Sequence, residues 1–250
     1  MDLNSDLGES FGAWRLGEDE SLLEVVTSAN VACGFHAGDP ATMRRTVAAA
    51  AARGVVIGAQ VSYPDLVGFG RRELGATPEQ IHDDVLYQLG ALDGICRAAG
   101  TRVRFLRPHG ALYHRCTRDV AAAEAAVAAA RSFDAALGVV APPGSALLAA
   151  AAAAGLATVR EGFADRRYLA DGTLAPRGTD GAVLTDPAEV AAQAVAIATG
   201  EPVRAAAGAP VEVTADTICL HGDTPGAAAL ARAVRAALEA HGVPIAPALA

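Results

Sequence analysis

The chain has 250 residues and a formal net charge of −8, from 28 acidic and 20 basic side chains. All 20 basic residues are arginines, and a chain without lysine can form neither a Walker A phosphate loop nor a Schiff base. The acidic balance and the lack of a clustered basic face argue against a nucleic-acid partner. The sequence shows neither a signal peptide nor an unbroken apolar stretch of membrane-spanning length, so we expect a cytoplasmic protein that does not enter the membrane.

Proline and glycine mark helix boundaries along the chain. A residue that can cap a helix precedes proline at four places, which predicts four helix starts: Asp39-Pro40, Thr77-Pro78, Asp186-Pro187 and Thr224-Pro225. Gln80 and Glu189 follow Thr77 and Asp186 at the spacing of a capping box. Glycines predict four helix ends: Gly54, Gly100, Gly200 and Gly242.

Short aliphatic or β-branched runs lie between these helices. They predict about seven strands, at residues 3–7, 29–33, 55–57, 103–106, 137–140, 157–159 and 211–220. Strands that alternate with helices indicate a parallel sheet. We favour a closed (β/α) barrel over an open sheet, because the length is near the ~250 residues of such barrels and polar residues follow nearly every strand. We expect a single domain over residues 1–250, with a long loop at 162–186.

Polar residues near the first two predicted strands are candidate site residues. Alternation along the first strand places Asn4 and Asp6 on one face, which in a barrel is the inward face. Inward polar side chains are costly unless they are paired, so a functional role is favoured over a solvated strand end. Asn30 and His36 lie in a segment whose two glycines, Gly34 and Gly38, let the backbone approach a ligand closely. His36 could be a general base or a metal ligand. Asp39 either contacts a ligand or caps the next helix.

Two further clusters follow the third and fourth predicted strands. Arg71 and Arg72 could hold a carboxylate or a phosphate through bidentate contacts, although surface arginines are the commoner case. His109 comes directly after the fourth strand between Pro108 and Gly110, which restricts its ring orientation and favours a functional role over a structural one.

The last clusters hold Asp165 with Arg166, and His221 with Asp223. His221 and Asp223 open a predicted helix whose amides could bind an anion, and a ligand contact and a capping role are equally favoured for them. Carboxylates and histidines that meet at one end of a barrel suit hydrolysis. They could activate water directly as bases or hold a metal that does so.

Six segments, taken in order, resemble the LamB/YcsF family. They are DLNSDLGESFG, SANVACGFHAGDP, SYPD with GFGRRE, RPHGALY, EGFADRRY followed by DGTLAPR, and ICLHGDTP, and they run from residue 2 to residue 225. The resemblance implies an irregular seven-stranded (β/α) barrel similar to the glycoside hydrolase/deacetylase superfamily. Six candidates lie within the family's motifs: Asp6, His36, Asp39, His109, Arg166 and His221.

The resemblance also implies an activity, which is ATP-dependent hydrolysis of the lactam C–N bond of 5-oxoproline to L-glutamate. The family performs this reaction with two further subunits, B and C. ATP is then the expected cofactor, bound by this chain, shared with the partners or bound wholly by them. A divalent metal such as Mg²⁺ could also be needed.

Two residues depart from the family pattern. Gln60 is followed by Val61 where many members have His-Pro, which removes a third histidine and weakens a metal site built from Asp6, His36 and His109. Arg107 stands where lysine is common, so the charge is kept and the geometry changes.

We expect Asp6, His36 and His109 to be catalytic, with one histidine activating water that Asp6 orients. The other candidates are expected to bind substrate or phosphate: Asn4, Asn30, Asp39, Arg71, Arg107, Asp165, Arg166, His221 and Asp223. Two alternatives stay open. One is a metal-dependent deacetylase or amidohydrolase that acts alone, and the other is a non-catalytic subunit that delivers substrate to its partners.

Overall fold

The computed structural model describes residues 1–224 and 226–249. The described residues form nine strands: β1 (Asp2–Leu7), β2 (Ser28–Ala32), β3 (Val56–Val61), β4 (Phe105–Pro108), β5 (Gly138–Ala141), β6 (Ala157–Phe163), β7 (Val203–Arg204), β8 (Pro210–Val211) and β9 (Thr217–Leu220). They also form eight helices: α1 (Asp19–Leu23), α2 (Pro40–Ala52), α3 (Pro78–Ala98), α4 (Gly110–Arg118), α5 (Val120–Phe133), α6 (Ala146–Ala153), α7 (Pro187–Thr199) and α8 (Ala227–Ala240).

Seven strands close into a barrel in the order β1-β2-β3-β4-β5-β6-β9, and β9 pairs with both β6 and β1. All pairings within this barrel are parallel. The carboxyl ends of the strands therefore open at one end of the barrel, which we call the mouth. The predicted barrel is confirmed, and each of the first six predicted strands overlaps a strand of it.

The seventh predicted strand, residues 211–220, is wrong in its first half. Residues 210–211 form β8, which pairs antiparallel with β7 outside the barrel. Pairing with the barrel begins at Asp216, whose N–H donates to the carbonyl of Arg160 and whose carbonyl accepts from the N–H of Asp2. One run of strand-forming residues thus changes partner within its length, and local composition does not show where.

Three of the four predicted helix starts are confirmed. Asp39, Thr77 and Asp186 each accept backbone N–H groups at the start of α2, α3 and α7, and Thr77 forms a full capping box with Gln80. The second predicted capping box, Asp186 with Glu189, is wrong in part, because the Glu189 side chain binds Arg167. The fourth prediction includes Pro225, which lies outside the described residues, and α8 begins at Ala227 behind an N-cap Gly226. The four predicted terminal glycines all have positive φ at helix ends: Gly54, Gly100, Gly200 and Gly242.

Near the amino ends of the strands, the barrel interior is apolar on one side and polar on the other. On β3 to β6, Phe105, Val140 and Val159 form an apolar cluster against Val56 and Leu249. On β1, β2 and β9 the inward positions are polar, since Asp2 accepts hydrogen bonds from Ser28 and Thr217. No helix in the described ranges is both long and apolar enough to cross a membrane.

The position of Gly58 on β3 leads to a prediction about stability. A Cβ at Gly58 would overlap the ring of Phe105, whereas a Cβ at Gly90 on α3 would meet no atom within 4 Å. We expect Gly58→Ala to lower the free energy of unfolding by about 1–3 kcal/mol through overpacking. Gly90→Ala, the matched control, should raise it by about 0.5–1 kcal/mol. Urea denaturation measures both values, and a neutral Gly58→Ala variant would contradict the proposed packing.

Candidate active site

Arg107 lies at the centre of a buried charged layer inside the barrel. Its Nη1 donates to both carboxylate oxygens of Asp6 at 2.9 and 3.1 Å, and its Nε donates to both oxygens of Glu161 at 3.1 and 3.3 Å. The Tyr113 hydroxyl also donates to Glu161, at 2.8 Å. Burial alone would lower the pKa of Arg107, but Asp6 and Glu161 outweigh burial and hold that pKa well above its usual value. The guanidinium is therefore charged and already paired, which leaves it poorly placed to hold a phosphate.

Two asparagines connect Asp6 to neighbouring strands. Asn30 Nδ2 donates to Asn4 Oδ1 at 2.7 Å and to Asp6 Oδ1 at 2.9 Å, and Asn4 Nδ2 donates to Thr217 Oγ1 at 2.7 Å. The structure places Asn4 and Asp6 inward, as the strand alternation predicts. Because their polar atoms face other strands, these residues support the charged layer from within the barrel.

His36 and His109 form a stacked pair at the mouth, with ring centroids 4.1 Å apart and 14° between the ring planes. Gln60 of β3 joins them, since its Oε1 lies 3.2 Å from Nε2 of His36 and its Nε2 lies 3.0 Å from Nδ1 of His109. The same Gln60 nitrogen donates to Glu9 Oε1 at 3.0 Å. Phe69 lies edge-on to both rings, with centroids 5.6 and 5.2 Å away. The fold therefore brings the two predicted catalytic histidines together around a residue that the sequence marked only as a departure.

The hydrogen bonds of this cluster assign its protons. Because a Glu9 oxygen accepts from the Gln60 amide nitrogen, the amide carbonyl faces His36. His36 therefore carries its proton on Nε2, and His109 carries its proton on Nε2 as well, where it donates to the carbonyl of Phe69 at 3.1 Å. Nδ1 of His36 is buried and has no hydrogen-bond partner within the described ranges. One imidazole lone pair is thus free to accept a proton.

Burial sets the protonation of the cluster. Desolvation lowers the pKa of His36 to about 4 and is the main cause that holds the pKa of His109 well below its usual 6.5. Burial, followed by the negative charge of Asp6, raises the pKa of Glu9 well above its usual value. At neutral pH the cluster therefore contains two neutral imidazoles beside a carboxyl group whose pKa is raised.

A second pair at the mouth joins Asp165, which follows β6, to His221, which follows β9. The carboxylate oxygens of Asp165 lie 2.9 and 3.0 Å from Nδ1 of His221, and one of them accepts the backbone N–H of His221 at 3.0 Å. Phe163 stacks on the imidazole with centroids 5.5 Å apart. Asp165 therefore orients His221, and its own oxygens are not free for a ligand.

Arginines and one carboxylate complete the mouth. Arg71 donates to Asp223 at 2.5 Å, and a guanidinium nitrogen of Arg177 lies 3.8 Å from the same carboxylate. Arg166 is buried and donates to the carbonyl of Ala175 at 2.6 Å. The structure thus groups the predicted Arg71, Arg166 and Asp223 and adds Arg177, which the sequence did not single out.

One candidate, Asp39, caps a helix. Asp39 accepts the backbone N–H groups of Ala41 and Thr42 at the start of α2 and also that of Gly12. This is the helix-capping role, one of the two that the sequence left open. Gln60 and Glu161 were missed as site residues, although both occupy inward positions that strand alternation could have identified.

Comparison with known proteins agrees with this architecture. The model of the LamB/YcsF family matches residues 1–250. The 5-oxoprolinase A subunit of Methylococcus capsulatus is 56% identical over 98% of this chain and 95% of its own length, and that of Streptomyces avermitilis is 57% identical over 98% of both chains. The crystal structure of the lactam utilization protein from Thermus thermophilus is 45% identical, covers 99% of this chain and 98% of its own, and superposes with a TM-score of 0.92. The chain belongs to the LamB/YcsF family.

Proposed function

We propose that the chain is one component of an ATP-dependent 5-oxoprolinase, which hydrolyses the lactam of 5-oxo-L-proline to L-glutamate together with subunits B and C. The observation that carries the proposal is the neutral, stacked pair of His36 and His109 at the barrel mouth. The names of the relatives, which are 5-oxoprolinase A subunits and a lactam utilization protein, support this assignment.

The proposed chemistry starts from the stability of the lactam. A resonance-stabilised amide in an unstrained ring reacts slowly with water, and transfer of the ATP γ-phosphoryl group to the lactam oxygen would activate it. Nδ1 of His36 then accepts a proton from the water that attacks the activated carbon, while Gln60 and His109 hold the imidazole in the required tautomer. The C–N bond breaks as the ring nitrogen takes up a proton, which leaves an acyl phosphate of glutamate. A second water attacks the acyl carbon and releases inorganic phosphate. Since the chain has no lysine, we place the nucleotide wholly or mainly on subunits B and C.

The proposal is tested by reconstitution. Purified chain is combined with subunits B and C, and 5-oxoproline-dependent ATP hydrolysis and glutamate formation are measured together. We expect both products only when all three subunits are present. Equal turnover by subunits B and C without this chain would show that the chain takes no part in the reaction. Turnover by this chain without ATP would contradict the proposed ATP-dependent chemistry.

The activation step has its own test. In a single turnover of 5-oxoproline labelled with ¹⁸O at the lactam carbonyl, we expect the label in inorganic phosphate, because the phosphorylated oxygen leaves with phosphorus. Phosphate that carries no label would contradict this route, in which the acyl phosphate is hydrolysed at carbon.

One observation favours a second candidate, a metal-dependent amidohydrolase. Donor atoms of Glu9, His36 and His109 all lie within 4.8 Å of one another. Two imidazoles and a carboxylate suit a zinc-type ion better than Mg²⁺, which prefers oxygen ligands. Such an ion would supply an acidified bound water. The fit requires the Gln60 amide to move, because its nitrogen now lies 3.0 Å from both Glu9 and His109.

Metal binding separates the two candidates. Equilibrium dialysis against Zn²⁺ and Mg²⁺ is performed on the chain and on Glu9→Gln, with Asp83→Asn on the surface of α3 as the control. The metal-dependent candidate requires stoichiometric binding that Glu9→Gln abolishes, with ATP-independent activity that chelators remove. Without both results, this candidate is rejected.

The low histidine pKa values predict the pH profile of the complex. The base form of His36, whose pKa burial lowers to about 4, stays present far below the ordinary imidazole value of 6.5. We therefore expect kcat/KM to be level as the pH falls through 6.5 and to decline only at lower pH. Return to about pH 7.5 after incubation at low pH controls for unfolding, since neutral pH restores the base form. A half-maximal loss at pH 6.5 or above would contradict neutral burial of the pair.

A further inference from the structure

Three arginines lie at the barrel mouth, and the proposed proton transfer does not use them. Arg71 follows β3, Arg166 follows β6, and Arg177 lies in the loop between β6 and α7. The guanidinium of Arg71 lies over the ring of Phe69, 5.0 Å from its centroid, and Phe69 in turn contacts both imidazoles. Arg71 thus connects the arginine group, which consists of Arg71, Arg166 and Arg177, to the site of the proposed chemistry.

Arg166 has an unsatisfied donor. The residue is only 4% exposed, and its Nε has no hydrogen-bond partner within residues 1–224 and 226–249. Burial first, and then the positive charge of Arg177 and Arg71, lowers the pKa of Arg166 to about 10. A buried guanidinium with a free N–H beside other cations is costly unless an anion binds to it.

The backbone that carries Arg166 is held firmly. The side-chain amide of Gln193 on α7 donates to the carbonyls of Phe163, Ala164 and Arg166 at 2.8, 3.1 and 2.7 Å. Three carbonyls thus share the two N–H groups of this amide, which fixes the turn that follows β6. The buried guanidinium is therefore presented in a fixed position, as a binding site requires.

Asp223 shows that a carboxylate fits among these arginines. One of its oxygens accepts from Arg71 at 2.5 Å, and the other lies 3.8 Å from Arg177. Asp223 is the counter-charge to Arg71 and Arg177, and Asp165, which also binds His221, is the carboxylate that acts on Arg166. Two carboxylates thus face three guanidiniums at the mouth. Positive charge remains in excess there, which favours a further anion.

We propose that the arginine group binds the carboxylate of the lactam substrate, with Arg166 and Arg177 as the residues that recognise it. The inference rests on the proposed function, since 5-oxo-L-proline is a small lactam with one carboxylate. Arg71 joins Arg177 through Asp223 and lies over Phe69, which contacts both imidazoles. A lactam whose carboxylate is bound there would therefore have its ring near His36 and His109. Phosphate is also an oxyanion and is therefore included as a probe.

Calorimetric titration of the whole chain tests the inference. The probes are 5-oxo-L-proline, 2-pyrrolidinone, which is the same lactam without the carboxylate, and inorganic phosphate. The variants are Arg177→Gln and Arg166→Gln, with Arg102→Gln, an exposed residue before β4 at the opposite end of the barrel, as the control. We expect Arg177→Gln to weaken 5-oxoproline binding by about 10- to 100-fold and to leave the affinity for 2-pyrrolidinone unchanged. Its free energy of unfolding should match that of wild type.

The outcomes separate this inference from the proposed function. If Arg177→Gln and Arg166→Gln both bind 5-oxoproline as wild type does, or if only phosphate binding depends on them, the carboxylate assignment is overturned. If the isolated chain binds too weakly for titration, KM for 5-oxoproline in the three-subunit complex provides the comparison. An unchanged KM in Arg177→Gln with normal turnover would overturn the carboxylate assignment and would not affect the proposed function. A wild-type complex without turnover would contradict the proposed function itself.

Discussion

Replacement of either histidine of the stacked pair by alanine is expected to lower kcat of the three-subunit complex by about 10²- to 10⁴-fold. His36→Ala removes the free lone pair, and His109→Ala removes the acceptor that holds the Gln60 amide in its orientation. The double variant should be no slower than the slower single variant, because groups that act as one unit are not additive. Initial rates of glutamate formation at saturating 5-oxoproline and ATP measure all three values.

The control for this prediction is His82→Ala, since His82 lies on the surface of α3 and its side chain bonds to Asp83. Circular dichroism and copurification with subunits B and C show whether each variant still folds and assembles. Loss of turnover with assembly intact supports a catalytic role for the pair. Full turnover in His36→Ala and His109→Ala would instead support the alternative in which this chain only delivers substrate to its partners.

The barrel could be predicted from the sequence because its signals are local. Caps such as Asp39 and Thr77 mark where helices start, and a period of two along residues 2–7 already shows that Asn4 and Asp6 point inward. Placing polar residues after each strand at one mouth follows from the parallel order alone. These inferences needed no knowledge of which strand pairs with which.

The partners within the site could not be predicted, because they depend on how the barrel closes. Gln60 looks like the loss of a histidine in the sequence, yet its amide connects both histidines with Glu9. Arg177 lies in a loop without periodicity, where nothing local indicates that its partner is the distant Asp223. Such contacts are set by the three-dimensional path of the chain.

Arg107 offers the largest predicted effect on stability. Asp6 and Glu161 both depend on this guanidinium for their neutralisation. Arg107→Met leaves two buried carboxylates without a cation, and removal of one partner from a buried ion pair costs about 3–5 kcal/mol. Arg160→Met is the matched control, since Arg160 also makes two hydrogen bonds to one carboxylate, Asp216, but at the surface, where such a pair contributes about 0–1 kcal/mol.

The pH dependence of the Arg107→Met variant makes this prediction specific. Without the guanidinium, the folded barrel of Arg107→Met holds buried negative charge that no cation balances and that water solvates in the unfolded chain. Because this charge is larger at higher pH, the free energy of unfolding of Arg107→Met should fall, relative to wild type, as the pH rises from about 5 to about 8. Arg107→Lys keeps the charge but cannot bind both carboxylates as the guanidinium does. Its free energy of unfolding should therefore lie between those of wild type and Arg107→Met. Urea denaturation at both pH values measures the differences. If Arg107→Met lowers the free energy of unfolding no more than Arg160→Met does at the higher pH, the charged layer does not stabilise the barrel. Arg107→Lys and Arg107→Met should then have equal free energies of unfolding.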